Sequence, residues 1–366
     1  MNPLRCFADA IRTTPVYRST WFLPGPDDAK LNHNESAFEL PDAIKRTIIE
    51  RIAAAPWHRY PDAHSVALTE AFAAFIGVGN DSVAVGPGGN ALIGRLLSAL
   101  HPDATLIVCP PAYYVYPRFG RARGLHIREV PLTDRDTPVP FDIDADAILD
   151  AGANIERPVL CLTNPNNPTA NAMSRGAMAR LIAEFDGLLI VDEAYCDFAN
   201  ASLVAALDDH PGLVLVRTLS KAAALAGWRI GALVANPAIV AELDKPDPPY
   251  HLGMPAQVAG ETVLANPDFI RRAAAATTTA RDELATRLAA IDGVRVFPSA
   301  TNFLLLDLGA HHRAGLQALV QRRVVVRDVD HLPGLANCIR VSLGTAEHNN
   351  RVVDALQAGT GAAGSA

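Results

Sequence analysis

The amino-acid sequence predicts an α/β protein: a mostly parallel sheet with helices on both faces, followed by a smaller α+β C-terminal domain. Three observations predict this class. Short, continuously apolar runs recur through the middle of the chain, and such runs are typical of strands covered on both faces. Helical patterns lie between several of these runs, which favours parallel pairing through crossover connections. Beyond residue 255, one long helical pattern is followed by shorter, mixed elements.

The larger part of the chain contains the first set of predicted elements. Its strands are apolar runs of four to six residues at 82–85, 105–109, 159–163, 188–191, 213–217 and 230–235. The helices predicted with them have apolar residues at helical spacing and lie at 65–76, 90–100 and 174–185. In the smaller part, an Ala- and Arg-rich helix is predicted over 267–290. The elements predicted after it are strands at 302–307, 324–327 and 339–343 and helices at 314–322 and 346–358.

The boundaries between these parts follow from turn and tail composition. A proline-rich turn at 245–250 suits a linker, because proline ends regular structure. The Gly/Ala/Ser tail at 359–366 is expected to fray. We therefore expect an N-terminal arm over 1–40, a large domain over 41–255 and a small domain over 256–366.

Composition excludes several classes of protein. Of 366 residues, 49% are apolar and 19% are charged, which excludes intrinsic disorder. No apolar run approaches the roughly 20 residues that span a bilayer, and the charged N-terminus does not suit a signal peptide. A formal net charge of −7 argues against a broad nucleic-acid surface. We expect a cytoplasmic protein with neither a membrane nor a nucleic-acid partner.

The five cysteines indicate a reduced protein. Their number is odd, no two form a CxxC pair, and three lie in apolar runs. We therefore expect core thiols rather than a disulfide set or a metal site. The cysteines are Cys6, Cys109, Cys161, Cys196 and Cys338.

Lys221 is the first candidate for chemistry. The chain has four lysines against 28 arginines, and this one follows a predicted strand among small residues. A desolvated ammonium has a lowered pKa and becomes an amine nucleophile that condenses with carbonyls. The alternative is a surface lysine at the start of a helix, which is the usual environment of an arbitrary lysine in such a position. Its neighbours favour a reactive lysine in a ligand-binding site, because they include the hydroxyls of Thr218 and Ser220 and an arginine, Arg229, that can bind an anion.

Carboxylate and aromatic side chains follow other predicted strands. Asp192 ends the run 188–191, where open α/β sheets bind ligands, and Tyr195 follows it. A metal ligand and a structural helix cap stay open for Asp192, but it could also keep a ring nitrogen protonated. Tyr113, after the strand at 105–109, could stack on a planar ring or belong to the core.

Two loops complete the set. The segment Gly86–Asn90 lies between a strand and a helix, so its amides could bind a phosphate. It also resembles a degenerate dinucleotide fingerprint, but the next strand does not end in the carboxylate that binds a ribose. The second loop has the sequence TNPNNPTA and includes Asn167. It is either a plain turn or a rigid support for its amides.

In this order the motifs resemble those of fold-type I pyridoxal-phosphate (PLP) aminotransferases, from about residue 31 to 347. The most specific are NPNNPT, VDEAY and SKAAALAGWRIG. The resemblance implies a PLP-binding large domain and makes Lys221 the Schiff-base lysine and proton shuttle. It pairs Asp192 with the pyridine nitrogen and puts Asn167 and Tyr195 on the ring hydroxyl oxygen.

The same resemblance implies the other cofactor contacts. These are ring stacking by Tyr113 and phosphate binding by Gly89, Asn90, Thr218, Ser220 and Arg229. It also implies a homodimer in which Tyr60, in the sequence RYPD, reaches the neighbouring site.

The C-terminal part is similar to the histidinol-phosphate aminotransferase branch, notably in PGLANCIRVSLGT. In that branch Arg327 and Arg340 face the substrate anion, although either could instead be a structural arginine. Asn34 and Tyr17 are further candidates for substrate binding. The chain departs from the usual family pattern at 31–36, which is LNHNES here, at 88–91 and at Ala170. The first departure bears on substrate identity, because that segment covers the substrate mouth in this family.

The resemblance implies amino transfer from histidinol phosphate to 2-oxoglutarate in histidine biosynthesis. The small-molecule partners are then an amino donor and a 2-oxo acid. A related aminotransferase for an aromatic or other amino acid, or for a phosphonate, is one alternative. A PLP-dependent decarboxylase is another. Outside this cofactor class, a nicotinamide-dependent oxidoreductase built on the Gly86 loop and a non-catalytic binding protein stay open.

Overall fold

Short strands and helices alternate along the computed structural model, which describes residues 6–16, 25, 27–246 and 248–361. The strands are β1 Ala29–Lys30, β2 Val83–Gly86, β3 Thr105–Val108, β4 His126–Glu129, β5 Pro158–Thr163, β6 Leu188–Asp192, β7 Leu213–Thr218, β8 Gly231–Ala235, β9 Arg295–Val296, β10 Phe303–Asp307, β11 Val324–Val325, β12 Arg327–Asp328 and β13 Cys338–Ser342. The α-helices are α1 Asp9–Thr13, α2 Asp42–Ala54, α3 Val66–Ile76, α4 Gly89–Ala99, α5 Val115–Arg123, α6 Ala145–Gly152, α7 Arg175–Glu184, α8 Pro237–Asp244, α9 Met254–Leu264, α10 Pro267–Ala289, α11 His312–Gln321 and α12 Ala346–Gly361.

A seven-stranded sheet organises residues 83–235 in the order β2-β8-β7-β6-β5-β3-β4. The pairs from β4 to β7 are parallel, whereas β8 runs antiparallel to both β7 and β2. Because β3, β5, β6 and β7 are parallel, their carboxyl ends share one edge of the sheet, where α/β proteins bind ligands. The predicted mostly parallel α/β class is confirmed.

Helices cover both faces of this sheet. Along β7, Val214 and Val216 pack in a cluster with Leu92 of α4, while Leu213 and Leu215 pack in a different cluster with Leu181 of α7. Alternate residues of a strand point to opposite faces, so both faces of β7 are buried. This explains why the strands are continuously apolar in sequence.

A second sheet forms within the C-terminal part, in the order β12-β13-β10-β9 with antiparallel pairs. The short strand β1 pairs in parallel with β11, which fixes residues 29–30 against the C-terminal part of the chain. Helix α9 crosses the expected boundary at residue 255. The domain boundaries themselves stay a prediction.

Most predicted elements agree with the structure to within one or two residues at each end. The edge strand β4 was missed, because its sequence HIRE is charged and mostly exposed rather than apolar. Helix α12 continues to Gly361, so the first residues of the tail expected to fray are helical, and 362–366 lie outside the described residues. No described helix is both long and apolar enough to cross a membrane.

Candidate active site

A cleft of about 780 Å³ opens at the carboxyl ends of β5, β6 and β7. It brings together all but two of the predicted site residues, from separate segments of the chain. Those that line it are Asn34, Gly89, Asn90, Tyr113, Asn167, Asp192, Tyr195, Thr218, Ser220, Lys221, Arg229, Arg327 and Arg340. The exceptions are Tyr60, which lies elsewhere on the surface, and Tyr17, which lies outside the described residues.

Lys221 lies in the loop after β7, with its amine in the cleft. Its Nζ donates a hydrogen bond to the carbonyl oxygen of His33 at 2.9 Å and lies 5.7 Å from the ring centre of Tyr195. Burial, with the positive charge of Arg340 acting in the same direction, lowers the pKa of Lys221 to about 7. A large fraction of this amine is therefore neutral near pH 7, as a nucleophile requires.

Asp192 is the last residue of β6 and is buried. Its Oδ1 accepts a hydrogen bond from the amide of Ala194 at 2.9 Å, and its Oδ2 accepts one from the hydroxyl of Tyr116 at 3.2 Å. Burial raises the pKa of Asp192 to about 6, against the opposing effect of these two hydrogen bonds. Since both donors are uncharged, the buried carboxylate is suited to a cationic group of a ligand.

Tyr116 is a functional residue that sequence reasoning missed. It is fully buried in α5, and its hydroxyl also lies 2.9 Å from Oγ1 of Thr163. The signal was present, because Tyr116 follows Tyr113 by three residues and so shares one face of the helical turn. The side chain thus contacts Thr163 at the end of β5 and supports Asp192 at the end of β6.

The opposite end of the cleft is suited to a phosphate. Nη1 of Arg229 donates to Oγ of Ser220 at 3.1 Å, and Oγ1 of Thr218 donates to the same oxygen at 3.0 Å. Gly88 precedes α4 with φ of 87°, and a Cβ there would lie 2.7 Å from Nη2 of Arg229. The first amides of α4 have no acceptor within the helix. A guanidinium, hydroxyls and a helix N-terminus thus converge on one anion-sized space.

Amide and phenol side chains lie between these two ends. Nδ2 of Asn34 donates to the hydroxyl oxygen of Tyr195 at 2.9 Å. Oδ1 of Asn167 accepts from Nη1 of Arg340 at 2.6 Å. Burial raises the pKa of Tyr195 to about 12, so its hydroxyl stays protonated and can donate.

The predicted pair of arginines lies in the C-terminal sheet. Arg327 on β12 is directly opposite Arg340 on β13 in the antiparallel register. Arg340 is buried, and its Nη2 donates to the carbonyl oxygen of Asn32 at 2.6 Å. Like charges directly opposite one another on neighbouring strands repel. An anion in the cleft relieves that repulsion, which is consistent with substrate binding.

Asn32 is a second residue that sequence reasoning did not single out. It lines the cleft and is fully buried, yet neither polar atom of its side chain has a partner among the described residues. A buried amide left without partners costs about 1–3 kcal/mol. Water or a bound ligand must therefore supply them. Sequence analysis identified only the segment 31–36 that contains Asn32, as a departure from the usual family pattern.

Tyr60 is 81% exposed and stacks on the ring of Tyr250, with ring centres 4.6 Å apart. Its predicted role at a neighbouring site stays a prediction.

Among the described residues no group of three His, Cys, Asp or Glu side chains could hold a metal ion.

Comparison with known proteins decides the family. A family model described as aminotransferase class I and II matches residues 26–356. The chain belongs to the class I and II aminotransferases. This membership confirms the predicted enzyme class and leaves the nicotinamide-dependent and non-catalytic alternatives without support.

Several relatives of this aminotransferase carry the same name. It is 34% identical over 331 residues to the histidinol-phosphate aminotransferase of Chlorobium phaeovibrioides, with 90% of each chain covered. It is 32% identical over 342 residues to that of Chlorobaculum tepidum, covering 92% of this chain and 97% of the relative. These names agree with the branch that the sequence resembles.

A solved structure with the same fold includes a cofactor. The histidinol-phosphate aminotransferase from Sinorhizobium meliloti, in complex with pyridoxal-5'-phosphate, aligns with a TM-score of 0.81 at 25% identity. The alignment covers 92% of this aminotransferase and 91% of that chain. The L-threonine-O-3-phosphate decarboxylase from Porphyromonas gingivalis, at 21% identity and a TM-score of 0.77, shares the fold.

Proposed function

We propose that this aminotransferase uses PLP to transfer the amino group of histidinol phosphate to 2-oxoglutarate, giving imidazole-acetol phosphate and glutamate. This is a step of histidine biosynthesis. The observation that carries the proposal is the low-pKa amine of Lys221 in the same cleft as the facing pair Arg327 and Arg340. The names of the relatives described above support the same donor.

The residues present fit PLP. The carboxylate of Asp192 is buried with uncharged donors only, as a protonated pyridine nitrogen requires of its partner. The cradle at Gly88 is a space that a Cβ would fill, next to the guanidinium of Arg229. Hydroxyls and helix amides around it are the donors that a phosphate dianion prefers.

The side chains then divide the work. When bound, PLP supplies an aldehyde that condenses with amines and a ring that withdraws electrons. Asp192 holds a proton at the ring nitrogen and so keeps that withdrawal strong. Tyr195 and Asn167 donate hydrogen bonds toward the ring oxygen, while Tyr113 stacks on the ring. Nζ of Lys221 takes a proton from the reacting carbon of the donor and returns it one position away.

The arginine pair selects the donor. Histidinol phosphate carries a phosphate monoester in place of an α-carboxylate. Two guanidinium groups that meet one dianion form strong, charge-assisted hydrogen bonds. Arg340 is buried and held by Asn167 and Asn32, so it is pre-oriented for that contact. Asn34, which is bonded to Tyr195, lines the same cleft.

A half-reaction tests the proposed donor. Purified PLP-loaded enzyme is mixed in turn with histidinol phosphate, phenylalanine and glutamate, and the cofactor absorbance is followed. We expect histidinol phosphate and glutamate to convert the cofactor to its amine form. The donor is wrong if histidinol phosphate leaves the spectrum unchanged while phenylalanine shifts it. Release of carbon dioxide from an amino acid would instead indicate a decarboxylase.

We also propose that the enzyme is a homodimer in which Tyr60 reaches the neighbouring site. Its support is the exposed, stacked pair Tyr60 and Tyr250, together with Trp57, which precedes Tyr60 by three residues and is 74% exposed. Subunit complementation tests this: Lys221→Ala and Tyr60→Ala variants, each weakly active, are co-expressed. A mixed dimer has one site with both residues intact, so activity returns. Activity that stays at the level of the separate variants contradicts the arrangement.

A cytoplasmic location completes the proposal. The five cysteines form no disulfide, and four of them are buried as free thiols. Thiols that persist in this form suit a reducing compartment. Cell fractionation with an antibody against the protein checks the location, and recovery from the oxidising cell envelope would contradict it.

A further inference from the structure

Arg118 is a cationic residue of the cleft that neither the motifs nor the roles above assign. It lies on α5, lines the cleft and is half-buried. Its Nη1 donates a hydrogen bond to the carbonyl oxygen of Pro15 at 2.6 Å. Among the described residues no carboxylate oxygen lies within 4.0 Å of its guanidinium, whereas Arg121 on the same helix pairs with Glu129 at 3.6 Å. One bond therefore orients Arg118, and no other acceptor among the described residues is bonded to the donors of its fork.

The other cations of the cleft already have partners or roles. Arg229 is bonded to Ser220 at the phosphate end, and Lys221 is the reacting amine. Arg327 and Arg340 face one another, and the proposed function assigns both to one substrate anion. The carboxylate of Glu35, which also lines the cleft, is paired with Lys30 at 2.7 Å and forms no ion pair with Arg118 among the described residues. Arg118 is thus an additional positive charge on the wall of the cleft.

The two successive substrates differ in a way that requires such a charge, an inference that rests on the proposed function. Both substrates have a reacting carbon, an anionic substituent for the arginine pair and a side chain. The side chain is an imidazole in the donor but ends in a second carboxylate in glutamate and 2-oxoglutarate. One subsite must therefore accept a flat ring in one half-reaction and an anion in the other.

The first turn of α5 provides such a subsite. Tyr113, which faces the cofactor ring in the proposed arrangement, contacts the ring of Tyr114 edge to face at 5.0 Å. Arg118 follows Tyr114 by four residues, so the two side chains share one face of the helix, and both line the cleft. An imidazole stacks on a phenol ring or a guanidinium plane, whereas a carboxylate pairs with the guanidinium fork.

We propose that Arg118 binds the distal carboxylate of the dicarboxylic substrate and so determines the choice of glutamate and 2-oxoglutarate as the second substrate pair. Loss of its charge weakens the binding of ligands with two carboxylates and leaves the binding of ligands with one carboxylate unchanged. The donor with an imidazole side chain keeps its binding, because its anionic group stays on Arg327 and Arg340.

Binding of unreactive acids tests this without turnover. The PLP-loaded enzyme is titrated calorimetrically with glutarate, which has two carboxylates, and with butyrate, which has one. We expect wild type to bind glutarate more tightly, and Arg118→Gln to weaken glutarate about 10- to 100-fold while butyrate changes little. Arg118→Lys recovers part of the affinity. The matched control is Arg121→Gln, on the same helix but outside the cleft, which leaves both affinities unchanged.

Half-reactions with three donors complete the test. In Arg118→Gln we expect the rate with glutamate to fall relative to alanine, while histidinol phosphate reacts as in wild type. The proposal is overturned if wild type does not prefer glutarate over butyrate, or if the variant loses both acids or all three donors equally. If wild type reacts with glutamate but not with histidinol phosphate, the proposed donor is wrong. The role of Arg118 is then still tested by how the variant changes the ratio of the glutamate rate to the alanine rate.

Discussion

The hydroxyl of Tyr116 donates a hydrogen bond to Oδ2 of Asp192 at 3.2 Å, in a region buried from solvent. Together with the amide of Ala194, it satisfies a carboxylate that has no ion pair within 4.0 Å among the described residues. The two donors stabilise the ionised form, while burial disfavours it and raises the pKa to about 6. Asp192 is therefore ionised near pH 7 and poised for a cationic ligand group.

Tyr116→Phe removes this support and keeps the ring. We expect the free energy of unfolding of the apoprotein to fall by about 1–2 kcal/mol, because Asp192 and Thr163 lose a buried partner. We also expect weaker PLP binding, since the pKa of Asp192 rises further. Urea denaturation and a PLP titration measure the two effects. Thr279→Val, which removes an exposed hydroxyl on α10, is the control and changes neither. A Tyr116→Phe variant as stable as wild type would contradict the role of this bond.

Gly88→Ala tests the cradle for the cofactor phosphate. A Cβ at Gly88 would lie 2.7 Å from Nη2 of Arg229, and φ of 87° disfavours any side chain there. Arg229 must therefore move, and we expect at least a 10-fold loss of PLP affinity in equilibrium dialysis. Gly227→Ala is the control, because a Cβ there meets no atom within 4 Å. Equal PLP affinity in the two variants would exclude a phosphate at this end of the cleft.

Arg340→Gln tests selection of a phosphorylated donor. The change removes a charge that faces the substrate, so we expect kcat/KM for histidinol phosphate to fall about 10- to 100-fold. Histidinol without the phosphate is the comparison donor, and its slower reaction changes much less. Arg322→Gln, which removes a surface arginine 3.6 Å from Asp354, leaves both rates unchanged. The role fails if Arg340→Gln slows both donors by the same factor.

The low pKa of Lys221 predicts how stability depends on pH. In the unfolded chain the amine has its ordinary pKa of 10.5, and in the folded apoprotein the pKa is about 7. Between these values the unfolded state binds more protons, so the free energy of unfolding rises with pH, by at most about 1.4 kcal/mol per pH unit. Lys221→Met lacks this contribution. We expect the free energy of unfolding of wild type, measured by urea denaturation, to rise relative to that of the variant from pH 7.5 to 9.5. Free energies of unfolding that change in parallel with pH in the two proteins would contradict a buried amine.

The sequence predicts the main sheet well for a physical reason. Strands such as β6 and β7 are buried on both faces, so they are continuously apolar and easily recognised. The edge strand β4 is held by backbone pairing to β3 alone along one side, and its charged side chains carry no apolar signal. Pairing of this kind is decided by tertiary structure rather than by local pattern.

The site could be predicted where function depends on position along a strand. Asp192 ends β6 and Lys221 lies three residues after β7, so the topology alone brings them to one edge of the sheet. Tyr116 and Asn32 differ, because their roles depend on spatial neighbours. Tyr116 meets a carboxylate on β6, and the side-chain amide of Asn32 meets no hydrogen-bond partner among the described residues. Likewise, Arg327 and Arg340 lie opposite one another because of the register between β12 and β13, which the local sequence does not specify.

The central claim is that the amine of Lys221 condenses with the aldehyde of PLP, and reduction with borohydride tests it most directly. PLP-loaded enzyme is treated with borohydride and digested, and the modified peptide is identified by mass spectrometry. The account predicts one pyridoxyl group, fixed on Lys221, and none in a Lys221→Ala variant that keeps its circular dichroism spectrum. A group fixed on Lys30, Lys45 or Lys245, or no fixed group at all, would contradict it.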